Sequence, residues 1–171
     1  MAPSPFIAEW VTRFAPAVPG AARALDVAMG RGRHAVALAR AGFRTFGVDV
    51  THAAVRDAIV AAAAEGLLVL GWCADLTRDV LPAARFDLVV VTRYLQRDLF
   101  ASLRAALRPN GVILYETFTV AQRALGRGPT SPDHLLEPGE LVRLFEGFDV
   151  LVHEEVSVPD AVARIVARRP S

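Results

Sequence analysis

At 171 residues the chain has the size of one domain, and with 53% hydrophobic against 22% charged residues it can bury a core of its own. All 19 Lys+Arg positions are arginine, which excludes a Schiff-base lysine, a phosphate-loop lysine and a Tyr/Lys proton relay; the one cysteine, Cys73, excludes an internal disulfide and a cysteine-built zinc site. A net charge of +1 offers no basic surplus for nucleic acid, no run reaches the roughly 20 apolar residues of a membrane span, and MAPSPFIAEW lacks the pattern of a signal peptide, so a cytoplasmic chain without nucleic-acid or membrane partners is expected.

Ser4-Pro5 reads as a helix start, with Phe6, Ile7, Trp10, Val11 and Phe14 on one face and Pro16, Pro19 and Gly20 ending it. Strands are expected at 23–28, 44–48, 67–73, 86–92 and 112–118, and helices at 33–40, 51–65 and 98–107, with Pro109-Asn110-Gly111 as a turn. A helix at 138–145 then precedes two strands, 148–154 and 161–168, joined around Pro159-Asp160. Strands separated by helices imply βαβ units with right-handed crossovers. The expected fold is therefore α/β: a doubly wound, Rossmann-like, mostly parallel seven-stranded sheet, with one antiparallel strand near the C-terminus and helices on both faces. A single domain is expected, 1–20 being an N-terminal helix and linker and 21–171 the core. DLVVV at 87–91 suits a strand buried on both faces, and Cys73, in the strand at 67–73, is read as a small buried packing residue. Segment 119–137, with Gly126, Gly128, Pro129 and Pro132, shows no pattern and is expected to be a functional or mobile loop.

Residues 25–34 read LDVAMGRGRH. A strand ends, Gly30 and Gly32 let the backbone turn and a ligand come close, and a helix opens with free N–H groups. Asp49 ends the second strand, 17 residues after Gly32, where a carboxylate can accept both hydroxyls of a ribose. Asp75 follows the third strand, and Asp26 stands just before the glycines. All three lie at carboxyl ends of strands, where open α/β sheets bind ligands.

On these residues the chain resembles the class I S-adenosylmethionine-dependent methyltransferases. Asp26-Val27-Ala28-Met29-Gly30-Arg31-Gly32 matches the first motif, with Ala28 where a glycine usually stands. Phe86-Asp87-Leu88-Val89 looks like the fourth-strand motif, and Pro109-Asn110-Gly111 resembles the turn before the fifth strand. The resemblance implies S-adenosylmethionine as cofactor. It implies cofactor contacts at Asp26, Ala28, Gly30 and Gly32, at Asp49 and Val50 on the ribose side, at Asp75 and Leu76 on the adenine side, and at Thr92. Within the superfamily, Ser4–Phe6, Gly30–Ala35, Val90–Arg97, Leu114–Phe118 and Leu135–Leu141 are similar to the small tellurite-resistance-type methyltransferases.

Methyl transfer is an in-line displacement in which alignment does most of the work, and a soft nucleophile needs little base assistance. Substrate contacts are expected at Thr92, Arg93, Tyr94, Glu116, Thr117 and Phe118, with Arg93, Tyr94 and His34 as the catalytic candidates. Arg93, Arg97, Arg123 and Arg127 are candidates for an anion-binding mouth. His52, His134 and His153 have no partner at metal-ligand spacing and are read as surface residues, so no metal is expected. Asp87 is read as structural. The expected activity is methyl transfer to a small molecule, a soft or anionic chalcogen or thiol compound, by a monomer or homodimer. Two alternatives stay open: a non-catalytic S-adenosylmethionine-binding scaffold, and an NAD-dependent oxidoreductase, since GRGRHA also satisfies G-x-G-x-x-A.

Overall fold

The alternation of apolar residues on the central strands decides the architecture. The computed structural model describes residues 2–171. Strands β1 (Arg23–Val27), β2 (Arg44–Asp49), β3 (Val69–Cys73), β4 (Phe86–Thr92), β5 (Leu107–Phe118), β6 (Asp149–Val156) and β7 (Val162–Arg168) form one sheet in the order β3-β2-β1-β4-β5-β7-β6. The first five run parallel, and β7 is antiparallel to both β5 and β6. This is the expected Rossmann-like sheet.

Along β4 and β5, Leu88, Val90, Val112 and Leu114 point to one face. There they meet Phe6, Ile7 and Val11 of α1 (Pro5–Arg13) and Leu38 of α2 (Arg33–Arg40). Val89, Val91, Ile113 and Tyr115 point to the other face, against Phe100 and Leu103 of α4 (Phe100–Ala106) and Leu141 of α5 (Glu140–Leu144). Each such side chain contributes about 1.5–3 kcal/mol by leaving water. A third cluster joins α2 and α3 (His52–Ala63) to β3 through Ala35, Val55, Ala58, Ala62 and Val69. No described helix is long and apolar enough to cross a membrane.

The chain runs outward from β1 to β3 on one side and from β4 to β5 on the other. The crevice between β1 and β4 is thus the topological switch point, where sheets of this kind bind ligands at the strands' carboxyl ends.

Two local expectations are corrected, and one segment gains a structure that the sequence did not show. Pro109-Asn110-Gly111 is not a turn ahead of β5 but an irregularity inside it: Leu107 already pairs with Phe86, and the register resumes at Val112 opposite Leu88. Asn110, at φ 64, donates its N–H to Arg169 O at 3.0 Å. Cys73 is exposed, at the end of the edge strand β3; its thiol donates to Val50 O at 3.0 Å. Segment 119–137 is organised by two 3₁₀ helices, Val120–Leu125 and Pro132–His134. Buried Gln122 anchors it, donating to Arg127 O at 3.0 Å and accepting the Ala161 N–H at 2.7 Å. Gln122, the isolated Thr119–Leu136 bridge and the buried Leu135 and Leu136 hold the segment, contacts that leave no periodicity in the sequence.

Candidate functional site

β1 stops at Val27 because the backbone turns left-handed: Ala28, Gly30 and Gly32 have φ of 52, 53 and 78. A Cβ on Gly32 would lie 2.5 Å from the Ala58 methyl, so this glycine lets the start of α2 rest on α3. A Cβ on Gly30 would meet no atom within 4 Å; it points into open space, where a ligand can approach the backbone. Between them Met29 is buried, its side chain filling the room left by strand glycines. A Cβ on Gly47 would come 2.0 Å from its sulfur, and one on Gly71 3.3 Å from its methyl.

The acids of the edge hold this loop. Asp26 is 1% exposed and accepts the Ala35 N–H of α2's first turn at 2.9 Å. Burial pushes its pKa up to about 7, against the opposing pull of that hydrogen bond and of Arg33. Asp49 accepts the Gly30 N–H with one oxygen and the Thr51 N–H with the other, both at 2.9 Å. Each oxygen keeps a lone pair for a further donor. Next to it Val50 is 64% exposed, an apolar surface at the mouth of the site, while Leu76 is buried. Asp75 accepts from the Thr77 N–H at 3.0 Å and the Thr77 hydroxyl at 2.6 Å, which hold its carboxyl below the usual range and tighten the turn after β3. The parallel registers Val27 with Val91 and Asp49 with Cys73 bring Ala28, Thr92, Asp49 and Asp75 to one edge of the sheet.

A cavity of about 930 Å³ opens at the loop and runs from Thr92 and Arg93 at the end of β4 along α2 to Asp57 and Ala61 of α3. Gly30, Arg33, His34, Thr92 and Arg93 line it, with Ala2 and Pro3 ahead of α1. Asp49, Val50, Asp75 and Leu76 are not among its walls; they form a shelf on the other side of the loop. His34 is buried, and both ring nitrogens are engaged: Nε2 accepts the Ser4 N–H at 3.1 Å, and Nδ1 lies 3.1 Å from Thr92 Oγ1. Burial, then Arg33 and Arg93, pull its pKa down to about 3, so the ring is neutral.

Arg93 has φ 52 and holds its guanidinium over the Phe118 ring, 3.4 Å from an Asp160 oxygen. Of the other proposed arginines, Arg127 shares Asp160 with Arg93, while Arg97 and Arg123 are occupied elsewhere. Arg97 pairs with Glu140 at 2.6 Å and donates to Leu135 O at 3.0 Å. Arg127 pairs with Asp160 at 3.0 Å, and Arg123 donates to Thr130 O at 3.0 Å. Tyr94 stands outside the cavity, its hydroxyl donating to Gln96 and its carbonyl accepting the Tyr115 hydroxyl at 2.7 Å. Buried Glu116 pairs with Arg164 at 2.6 Å. Asp87, at the opposite edge, accepts the Arg23 N–H at 2.8 Å. His52, His134 and His153 are exposed. Sequence reasoning missed Arg33: half-buried in the cavity wall, it makes no ion pair among the described residues, and burial and Arg93 lower its pKa. Its signal was its place between Gly32 and His34, on the turn that faces the switch point.

A family model described as a methyltransferase domain matches residues 24–111, the stretch that carries the loop, Asp49, Asp75 and Thr92. The chain belongs to this methyltransferase family. It is a class I enzyme, and S-adenosylmethionine is its cofactor; an NAD-dependent oxidoreductase is thereby set aside. Comparison with curated protein sequences finds no match. The fold is similar to that of an S-adenosylmethionine-dependent methyltransferase from Mesorhizobium loti, at 21% identity and a TM-score of 0.72 over 95% of this chain and 98% of that one. It is similar to TehB from Haemophilus influenzae, at 14% identity and 0.73 over 95% and 61%. A third similar structure concerns conversion of a disulfide bond into a thioacetal group during echinomycin biosynthesis, at 20% identity and 0.76 over 99% and 83%. The methyltransferase's own residues fit the cofactor. The free space at Gly30, the lone pairs of Asp49 and the uncovered Val50 leave room and acceptors at the edge where such a cofactor would lie.

Proposed function

We propose that the protein, as a single domain, binds S-adenosylmethionine across the carboxyl edge of its sheet and transfers the methyl group to a small, anionic, soft nucleophile. In this reading Asp49 takes the ribose hydroxyls, Val50 and Leu76 flank the adenine with Asp75 beside it, and Ala28, Gly30 and Gly32 carry the backbone beneath. Asp26 fixes the loop through α2, and Thr92 bounds the far side. The observation that carries the reading is the Gly30–Asp49 contact: an open glycine face tied to a carboxylate at the end of the neighbouring strand.

When bound, the cofactor supplies an electrophilic methyl on a sulfonium. The chain's part is to bind, align and exclude water. His34 is not available as a general base, because both its nitrogens are bonded and its basicity is suppressed. That favours an acceptor already ionised or intrinsically nucleophilic, such as a thiolate or a selenium or tellurium oxyanion. The likeness in fold to the structure of a disulfide-to-thioacetal conversion accords with sulfur as the nucleophile. Arg93, at the rim of the cavity, is the group proposed to orient the anion.

The test is a calorimetric titration with S-adenosylmethionine, S-adenosylhomocysteine and NAD(H), followed by methyl transfer to selenite, tellurite and small thiols. Saturable binding of the first two and transfer to one of the acceptors are expected. Binding of NAD(H) alone refutes the cofactor site; cofactor binding without transfer to any of the three refutes the acceptor class.

A further inference from the structure

At the end of β4 the cavity wall contains a hydrogen-bond chain with a fixed direction. The Ser4 N–H can only donate, and it meets His34 Nε2 at 3.1 Å. Nε2 therefore presents its lone pair, and in a neutral ring the proton sits on Nδ1. Nδ1 lies 3.1 Å from Thr92 Oγ1, so Nδ1 donates and the hydroxyl accepts. The hydroxyl's own proton then has no partner among the described residues, and Thr92 lines the cavity beside Gly30, Arg33 and Arg93. A second proton on the ring, which would abolish this polarity, is opposed by burial and by the flanking Arg33 and Arg93.

The sheet order decides what meets that proton. β2 and β3, with Asp49 and Asp75, lie on one side of the glycine loop, and β4 lies on the other. A nucleoside on the Asp49 shelf leaves the cofactor's amino-acid end over β4, a placement that rests on the reading above. The side chains there are donors: the Thr92 hydroxyl, the Arg33 guanidinium, and the Arg93 guanidinium, which also pairs with Asp160 at 3.4 Å. The cavity's carboxylates are engaged away from them, Asp57 with Arg56 at 3.0 Å and Glu65 with Arg40 at 2.5 Å. Free side-chain donors at this end of the cavity suit a carboxylate.

We infer that His34 is a positioning residue that makes Thr92 a fixed hydrogen-bond donor to the carboxylate of the bound cofactor's amino-acid moiety, with Arg33 as its countercharge. The same chain ties the entry of α1 to the site, since Ser4 precedes that helix.

Two probes isolate the carboxylate. S-adenosylhomocysteine carries the amino-acid group, and 5′-methylthioadenosine keeps the nucleoside and thioether without it. By calorimetry, Thr92→Val weakens the first by about tenfold and the second less than about twofold, whereas Thr92→Ser stays within about threefold for both. His34→Gln retains one acceptor and one donor and binds nearly as wild type. His34→Leu loses what Thr92→Val loses, and the double variant loses no more than Thr92→Val alone. In the wild type, nitrogen-15 NMR of the His34 ring shows Nδ1 protonated and Nε2 bare, a measurement that needs neither a variant nor a ligand. An Nε2-protonated ring, or equal losses for both probes in Thr92→Val, overturns the inference while leaving the cofactor site standing. A wild-type protein that binds neither probe overturns the placement of the cofactor and this inference with it.

Discussion

Asp26→Asn should turn a nearly flat pH dependence of stability between pH 4 and 6.5 into a rising one. Asp26 has a native pKa of about 7 against 3.8 unfolded. Between those values the native state holds a proton that the unfolded chain has lost. Its contribution is therefore full below about pH 3.8 and disappears as pH rises to about 7. At 1.36 kcal/mol per unit over about three units, that is about 4 kcal/mol. His34 has the opposite sign: its native pKa is about 3 against 6.5 unfolded. The unfolded chain binds a proton that the native state refuses, so stability rises from about pH 3 to 6.5, by about 5 kcal/mol in all. In the shared window the two slopes cancel, and wild-type stability is nearly flat. The amide in Asp26→Asn keeps an oxygen for the Ala35 N–H and does not titrate. The His34 slope then stands alone, and stability climbs by about 3 kcal/mol from pH 4 to 6.5. Glu140 and Asp75 have lowered pKa values, so their contributions change only below about their ordinary values of 4.5 and 3.8; Glu140 touches the lowest half-unit of this window, and does so equally in wild type and variant. Urea midpoints at half-unit steps, with a constant m-value, read the effect. An Asp26→Asn profile parallel to wild type refutes the opposed pair. His34→Gln should show the mirror image, stability falling as pH rises.

Gly32→Ala combines a left-handed φ with a methyl 2.5 Å from Ala58, and should lower stability by about 2–3 kcal/mol, read as a drop in Tm of several degrees. Ala28→Gly relieves φ 52 at a residue with a Cβ and should raise Tm slightly, by at most about 1 kcal/mol of stability, with calorimetry of S-adenosylhomocysteine unchanged. Asp49→Ala should weaken S-adenosylmethionine at least about tenfold in titration calorimetry; unchanged affinity places the ribose elsewhere.

The sheet was readable because DLVVV and its neighbours are too apolar for any surface strand, and because Asp26, Asp49 and Asp75 mark three successive strand ends. What escaped was whatever depends on a partner distant in sequence. Cys73 looked buried by its neighbours, but burial is set by where its strand lies in the sheet, and β3 is the edge. Arg97 and Arg93 are alike in sequence; Glu140 claims one, while the other faces the cavity. Arg33 passed as an ordinary helix residue because its lack of a counter-ion is a property of the fold. Segment 119–137 offered no periodicity, since one glutamine, one isolated bridge, Thr119 with Leu136, and the buried Leu135 and Leu136 hold it.

Met29 has a consequence for how the protein can change. Its thioether occupies a socket whose walls are the missing side chains of Gly47 and Gly71, residues that weaken the strands they sit in. Three positions on three separate strands or loops thus behave as one unit of inheritance. A side chain gained at Gly47 is tolerable only with a shorter residue at 29, and a shorter residue at 29 leaves the ligand loop without its tether. Oxidation of Met29 to the sulfoxide acts on the same unit without any mutation, pushing a polar, bulkier group into a socket with no room for it and loosening the loop from behind.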